Sequence, residues 1–473
     1  MATTDCNSEQ FEFLAFAKRQ VVGGFTAGRT SSDGGMLLVR EVAERSGILR
    51  GFAGCFTDHR RAELIEHSIE ELVAQRVIGI ACGYEDLNDH DSLRDDTLFA
   101  VAVGKPDLLG EHRARARDRG HALSGKSTLN RLELTPEGAT AEARYKKIVY
   151  SATAIDALLV DTFLDAHAVA PEQIILDLDA TDDPLHGNQE GRFFHGYYGG
   201  YCYLPLYITC GSFLLCSRLR SSNIDASSGS TEELTPIIAR IRARWPAVEI
   251  TIRGDSGFAR ENIMSWCEAN NVHYVLGLAK NARLKRAIGK EMEQARVAHL
   301  ATAKPARAFR DLRYRTQKSW SRERRVVGKA EHIAGKANPR FVVTSWPIDR
   351  ADAATLYERV YCARGDMENR IKEQQLHLFA DRTSTATMRA NQLRLYFSSI
   401  AYVLMNELRR VALRGTKLES AYIGTIRFRL LKLATVVKVS VRRIHVAFSS
   451  VFPLAALYRQ AFENIQRAYP IRV

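Results

Sequence analysis

Paired cysteines are missing from this chain of 473 residues. Its eight cysteines, Cys6, Cys55, Cys82, Cys202, Cys210, Cys216, Cys267 and Cys362, include no CxxC pair and lie mostly in apolar segments. That excludes a disulfide framework and a cysteine-rich zinc site, and it fits buried thiols in a reducing compartment. Long apolar runs are missing too. The best one, near Leu395 to Met405, falls short of the ~20 residues that a membrane-spanning helix needs. The N-terminus shows no basic-then-apolar leader, so a cytoplasmic location and no membrane partner are expected. No internal repeat or long disordered tract appears. Acidic residues are in deficit: Lys plus Arg number 67 against 54 for Asp plus Glu, a formal charge of +13 with pI near 9.4. The excess is clustered, which points to an anionic partner more strongly than the total does. One cluster runs from Arg307 to Lys329 and includes Arg322, Arg324 and Arg325; another runs from Arg409 to Arg443.

At this length one core is not enough, and two or three domains are expected. Residues 1–150 read as mainly helical, with Gly-rich turns at Gly23-Gly24 and Gly34-Gly35 and a periodic apolar stretch from Leu64 to Ile80. An α/β core is expected over 171–281 and again over 340–410. Between them lies a basic insertion, 282–339, which begins helix-like and turns strand-like around Leu312 to Val327. A basic C-terminal region, 411–473, follows.

Acidic residues close two apolar runs. Ile174-Ile-Leu-Asp-Leu-Asp179 is a short β-branched and leucine-rich run broken by Asp182, Asp183 and Pro184. Val248-Glu-Ile-Thr-Ile252 is another, followed by Arg253-Gly-Asp255-Ser-Gly257, where glycines let backbone approach a ligand. Between them come two strand-like stretches, Arg192 to Tyr201 and Tyr203 to Cys216. A helix follows, with Ser230 and Glu233 in a capping-box pattern and Leu234, Ile237, Ile238, Ile241 and Trp245 at helical spacing. Strand, strand, strand, helix, strand is the ribonuclease-H-like order, in which the two acid-bearing strands are neighbours of one mixed sheet. A third acid belongs to a later helix, where Tyr361, Arg364, Glu368, Lys372 and Gln375 share one polar stripe.

Each acid has a blander reading. A lone Asp after a strand is most often a turn former or a helix cap, and only the three together favour a site. Asp177 shares a strand face with Asp179 and ranks second as the first acid. Asp182, Asp183 and Glu190 read as turn or supporting residues. His186 and His195 lack the paired spacing of metal ligands. Gly120-His-Ala-Leu-Ser-Gly125-Lys126-Ser127 matches the nucleotide-binding GxxxxGK[ST] pattern, but a charged run rather than a buried strand precedes it, so an ATPase reading is disfavoured.

With these residues in view, the chain resembles the DDE transposases of bacterial insertion sequences, in the branch whose last acid sits in Tyr-x2-Arg-x3-Glu-x6-Lys. Tyr361, Arg364 and Glu368 are in register; Gln375 stands where the lysine should be, and Lys372 is one turn away. Asp179-Ala-Thr181 and Arg253-Gly-Asp255 are similar to the family's first two acid motifs. The resemblance implies that Asp179, Asp255 and Glu368 are catalytic and hold Mg²⁺, two ions with Mn²⁺ as a substitute. It implies that Tyr361, Arg364 and Lys372 contact DNA, and that the helix beginning at Ser127, with Lys126 and Arg131, binds element ends. Trp320, in the basic insertion, either stacks on a base, as hairpin-forming relatives do, or packs its own sheet. The partners implied are double-stranded DNA, as element ends and target, and a second copy of the chain. Carboxylates suit Mg²⁺, which prefers hard oxygen ligands and keeps positions open for phosphate. The alternatives are a ribonuclease-H-like nuclease without strand transfer and a DNA-binding protein with a decayed site.

Overall fold

The computed structural model describes residues 10–333 and 336–470. Cys6 lies outside them, and the other cysteines carry free thiols. The chain divides into two compact units. One comprises the described parts of Met1–Gly47, Arg61–Asn130 and Glu407–Val473; the other comprises Ile48–Arg60 and Arg131–Asn406. The first and last stretches of the sequence thus share a unit instead of standing as separate regions.

The second unit is mixed α/β, built on a nine-stranded mixed sheet. Its main order is Phe213–Arg218, Leu206–Cys210, Gln173–Ala180, Glu249–Gly254, His273–Leu278, Arg340–Thr344, Arg324–Ile333 and Ala306–Tyr314, with Lys336–Ala337 pairing onto Arg324–Ile333. The strand ending near Asp179 runs parallel to Glu249–Gly254, Leu178 opposite Gly254. The helix Ser230–Arg244 supplies the crossover that a parallel pair requires. Its Leu234, Ile237, Ile238 and Ile241 pack in one core with Leu176, Leu178, Ile250 and Ile252 from the two strands, which is why the helical spacing was visible in the sequence. Its start differs from expectation. The cap is Gly229 at φ +76°, with no side-chain cap bond. Glu233 turns instead to Arg218, at 2.7 Å, because a neighbouring strand offers a guanidinium that outcompetes a backbone amide.

The strands Ala306–Tyr314 and Arg324–Ile333 of the basic insertion extend the main sheet beyond Arg340–Thr344. On the opposite edge, the long helix Met388–Glu407 is tied to the sheet by Gln392, whose amide donates to the Ser217 carbonyl at 3.0 Å.

The first unit holds the helices Met36–Ser46, Ile69–Cys82, Thr97–Val103 and Ala455–Ala468 and a small sheet of Thr30–Ser31, Thr435–Val439 and Ile444–Phe448. Ser68 and Glu71 form a full capping box on the second of these helices. Basic residues of the C-terminal cluster serve this unit internally: Lys432 pairs with the buried Asp33 at 2.6 Å, and Arg427 donates to the Ala81 carbonyl at 2.9 Å. Among the described residues a β-hairpin, Gln10–Phe16 against Arg19–Gly24, precedes the helices of the N-terminal stretch. Among the described residues no helix is long and apolar enough to cross a membrane.

Candidate active site

Register determines where the first two acids go. Because Leu178 lies opposite Gly254 on parallel neighbours, Asp179 and Asp255, one residue further on each, emerge side by side at the carboxyl ends of their strands. Each is braced by backbone: the Ala180 amide donates to the Asp179 carboxylate at 3.0 Å, and the Gly257 amide to Asp255 at 2.8 Å. The glycine turn seen in sequence therefore shapes Asp255 and positions it at once.

The third contributor is helical but irregular. From Ala353 to His377 the chain passes through an α-helical turn, a π-helical stretch (Leu356–Tyr361), a 3₁₀ turn (Cys362–Arg364), an α-helix (Gly365–Lys372) and a second π-helical stretch (Glu373–His377). Wide turns of this kind concentrate where a helix must re-aim side chains. Arg364 stands 3.8 Å from Asp179 and 3.1 Å from Glu368, bridging the two carboxylates. Tyr361 approaches the turn after the second acid so closely that a Cβ on Gly277 would lie 2.5 Å from its hydroxyl and 3.0 Å from the Ser256 nitrogen. Gly277, which sequence reading passed over, is what lets helix and turn meet. Lys372 is exposed. Gln375, at the family's lysine position, donates to the Asp182 carbonyl at 3.0 Å and so fastens the helix to the chain leaving Asp179.

The electrostatics favour a cation. Burial above all pushes the Asp179 carboxyl up to about 6; Arg364 opposes that shift, while the charges of Asp255 and Glu368 add to it. Among the described residues no group of three or more His, Cys, Asp or Glu is gathered as a metal cluster. Arg364 occupies the space between Asp179 and Glu368, and the Glu368 side chain is 50% exposed. The donor set still suits a hard divalent ion: two carboxylates braced by backbone amides and a third on an exposed side chain, in a place where negative charge is crowded.

Asp177, the rival first acid, is committed elsewhere. It is buried and held bidentately by Arg253 at 2.5 and 2.7 Å. Burial pushes its carboxyl up even against that partner. Arg253 also donates to the Val360 carbonyl at 2.5 Å, joining the second acid strand to the helix. The sequence carries no local signal of this role, because the partners of Arg253, Asp177 and Val360, lie 76 and 107 positions away.

Trp320, Arg324 and Arg325, expected to contact DNA, are buried. Trp320 is only 4% exposed. It packs edge-on to Tyr314 at 5.7 Å, with the Arg324 guanidinium over it at 5.5 Å. It sits at the sheet end opposite the acids, since Arg324 pairs with Tyr314 there, and burial gives it the packing role. Arg324 has a 2% exposed side chain and bridges Glu261 at 2.7 Å and Glu268 at 2.8 Å. Burial works to raise Glu261, but the bonds from Arg324, Ser321 and Ser265 prevail and lower it to about 2. Arg325 is likewise buried, on Asp311 at 2.6 Å, and Arg322 pairs with Glu268. Arg324 thus ties its strand to the helix Glu261–Ala269 and Arg325 ties two strands together, whereas the Arg322 side chain is 61% exposed. Trp320→Ala is therefore expected to cost about 3–5 kcal/mol of stability by urea unfolding, with the rate of each DNA step in the folded fraction unchanged; a selective loss of one step would return the ring to DNA.

Lys126 pairs with Asp91 at 3.2 Å and bonds Asn88 at 3.1 Å. Only a short 3₁₀ turn, Ala116–Asp118, and loop precede it, so the buried strand of a nucleotide-binding loop is absent there. Lys126→Ala is expected to leave activity independent of ATP, and ATP-dependent activity in the wild type would restore the nucleotide reading. Arg131 lies over the Tyr145 ring at 5.0 Å. His186 is exposed, and the His195 ring lies tilted against Tyr198 at 4.9 Å.

The fold and site define a mixed α/β protein with paired aspartates at adjacent strand ends beneath an arginine-bearing helix. Residues 13–470 match the family model described as Transposase DDE domain group 1. The chain belongs to that family and is a DDE transposase. A solved structure of the piggyBac transposase synaptic complex with hairpin DNA is similar, at 13% identity over 94% of this chain and 87% of that one, with a TM-score of 0.41. Comparison with curated proteins gives no match.

Proposed function

We propose that the chain is the transposase of a bacterial insertion sequence, of the branch with the Tyr-x2-Arg-x3-Glu signature, acting in the cytoplasm on double-stranded DNA. It binds the inverted ends of its element, cleaves phosphodiester bonds there and transfers the freed 3′ ends to target DNA, as a homodimer that holds two ends at once. The observation that carries this reading is the side-by-side placement of Asp179 and Asp255 under the helix of Arg364 and Glu368. The core around them is read as ribonuclease-H-like, and residues 1–150, with Lys126 and Arg131, as the region that engages element ends.

Asp179, Asp255 and Glu368 would hold two Mg²⁺ or Mn²⁺ ions, which supply Lewis-acid polarisation of the phosphate and a nucleophile at neutral pH. The chain's own groups do the rest. Arg364, which lies against Asp179 and Glu368, is a guanidinium fork able to take a non-bridging phosphate oxygen. Tyr361 sets its hydroxyl over the Asp255 turn through the gap left by Gly277. Lys372, exposed one turn beyond Glu368, would contact a neighbouring phosphate.

The test is to incubate the purified chain with Mg²⁺, a labelled duplex carrying the repeats that flank its gene, and a supercoiled target. Nicks at the repeat ends followed by joined products support the proposal. Nicks without joining would favour a nuclease, and no cleavage at all would leave a DNA-binding protein with a decayed site.

A further inference from the structure

Almost nothing covers the hairpin of Gln10–Phe16 and Arg19–Gly24: every residue of its two strands except Gly23 is exposed. Leu14 is 95% exposed and Phe16 77%. Pairing puts Phe13 beside Val21, and Phe11 joins them by the period of the strand, while Val22 lies beside Glu12 on the opposite face. The hairpin is therefore apolar on both faces. A two-stranded hairpin on its own is marginal in water, and so many grouped apolar side chains mark an interaction surface. Only Lys18 and Arg19 oppose Glu12 in it, so phosphate is a poor match. What it needs is a strand edge to pair with and an apolar hollow for its side chains.

The same compact unit offers both. Ile444–Phe448 pairs with Thr435–Val439 along one side, and among the described residues its other side is unpaired. Such an edge accepts an extended segment by strand addition, main-chain bonds giving affinity and side-chain pockets giving choice. The pocket lies at its end. Phe448, with Tyr458 tilted against it at 5.1 Å, borders a groove of about 370 Å³ that Leu37, Leu38 and Phe462 complete between the helices Met36–Ser46 and Ala455–Ala468. A chain's own hairpin does not occupy it, since those hairpin residues are in solvent. Residues 25–29 tether the hairpin to Thr30–Ser31, which pairs with Thr435–Val439 on the side away from Ile444–Phe448. Donor and acceptor on one chain, held to opposite edges of one small sheet, fit two copies related by a two-fold axis. Each gives a hairpin and each receives one, and such a contact closes on itself.

Resting on the reading of the chain as a homodimer that holds two DNA ends, we propose that the hairpin of each copy adds to the Ile444–Phe448 edge of the other, with its phenylalanines seated in the groove beside Phe448 and Phe462. The contact belongs wholly to the unit without the acids, so breaking it leaves Asp179, Asp255 and Glu368 in place.

The experiment is sedimentation equilibrium of the full chain over a range of concentrations, with and without duplex DNA carrying the flanking repeat. Phe13→Asp with Leu14→Asp is expected to weaken self-association on the order of a hundredfold, and Phe462→Asp, on the receiving side, as much. All three positions are exposed, so the far-UV circular dichroism should not change. Val169→Asp, an equally exposed apolar position of the other unit, should leave the dimer intact. Cross-linking then shows which copy fills which groove. With Cys6 and Cys362 changed to Ser, a Phe13→Cys chain mixed with a longer, tagged Phe462→Cys chain should give a mixed-size product with a short bismaleimide. Cross-linking within one chain that carries both cysteines, at a dilution where the wild type is monomeric, would put the hairpin in its own groove and overturn the inference. So would wild-type self-association in either Asp variant, or a loss of DNA affinity with the dimer intact, which would make the hairpin a DNA contact. A wild type that is monomeric at every concentration, with and without DNA, sinks the homodimer reading as well, whereas a dimer indifferent to the hairpin sinks this inference alone.

Discussion

Asp179→Asn, Asp255→Asn and Glu368→Gln are each expected to slow cleavage of repeat-bearing DNA on the order of 10³-fold, with end binding retained. The amide keeps the shape of the carboxyl and its acceptor oxygen, so the Ala180 and Gly257 amides stay satisfied; only the charge is lost. Groups that act as one unit are not additive. The Asp179→Asn, Asp255→Asn double variant should thus be little slower than either single one. The fold should not suffer. A carboxyl pushed up to about 6 is one that burial and its neighbours disfavour in ionised form, so the urea midpoint of Asp179→Asn at neutral pH is expected to hold or rise. Cleavage at the wild-type rate by any one variant would remove that residue from the triad.

Asp177→Asn and Arg253→Ala are expected to behave in the opposite way, costing about 3–5 kcal/mol of stability in urea. Both partners are buried, and the pair is bidentate. Removing one leaves the other in a poorly solvated place without its counter-charge. Replacing both together, Asp177→Leu with Arg253→Met, should recover much of that loss, because an apolar pair of similar volume needs no compensation. Activity would fall in the single variants only as the folded fraction falls. An Asp177→Asn protein that is fully folded yet unable to cleave would instead make Asp177 the first acid.

The strand pair and its crossover helix were legible in the sequence because their signal is local. Ile174, Leu176 and Leu178 face the same core as Ile250 and Ile252, and each run ends at a visible breaker. Partnership across long separations was not legible. Nothing near Trp320 announces that Glu261 and Glu268 will draw Arg324 under cover, and a tryptophan among arginines looks the same whether it stacks on DNA or on its own sheet. Glu233 looked like a helix cap until Arg218, on another strand, claimed it. The N-terminal hairpin was hidden for a different reason. Its turn places Ala17 at φ +49° and Lys18 at φ +67°, where such turns ordinarily advertise themselves with Asn or Gly. At the site, the acids stood out by type and position. Gly277 and Arg253 did not, since their roles exist only once the helix is laid against the sheet.

The division of the chain also has a consequence for the order in which it is made. The unit carrying the acids is composed of Ile48–Arg60 and Arg131–Asn406, so all of it has been synthesised before Glu407. The other unit waits for the last segment, because Thr435 pairs back onto Ser31 and Lys432 onto Asp33. Domains tend to fold as they emerge, and synthesis of a final segment takes seconds. A chain still on the ribosome would then carry a formed acid-bearing unit while the remainder is incomplete, and premature termination would leave the first without the second.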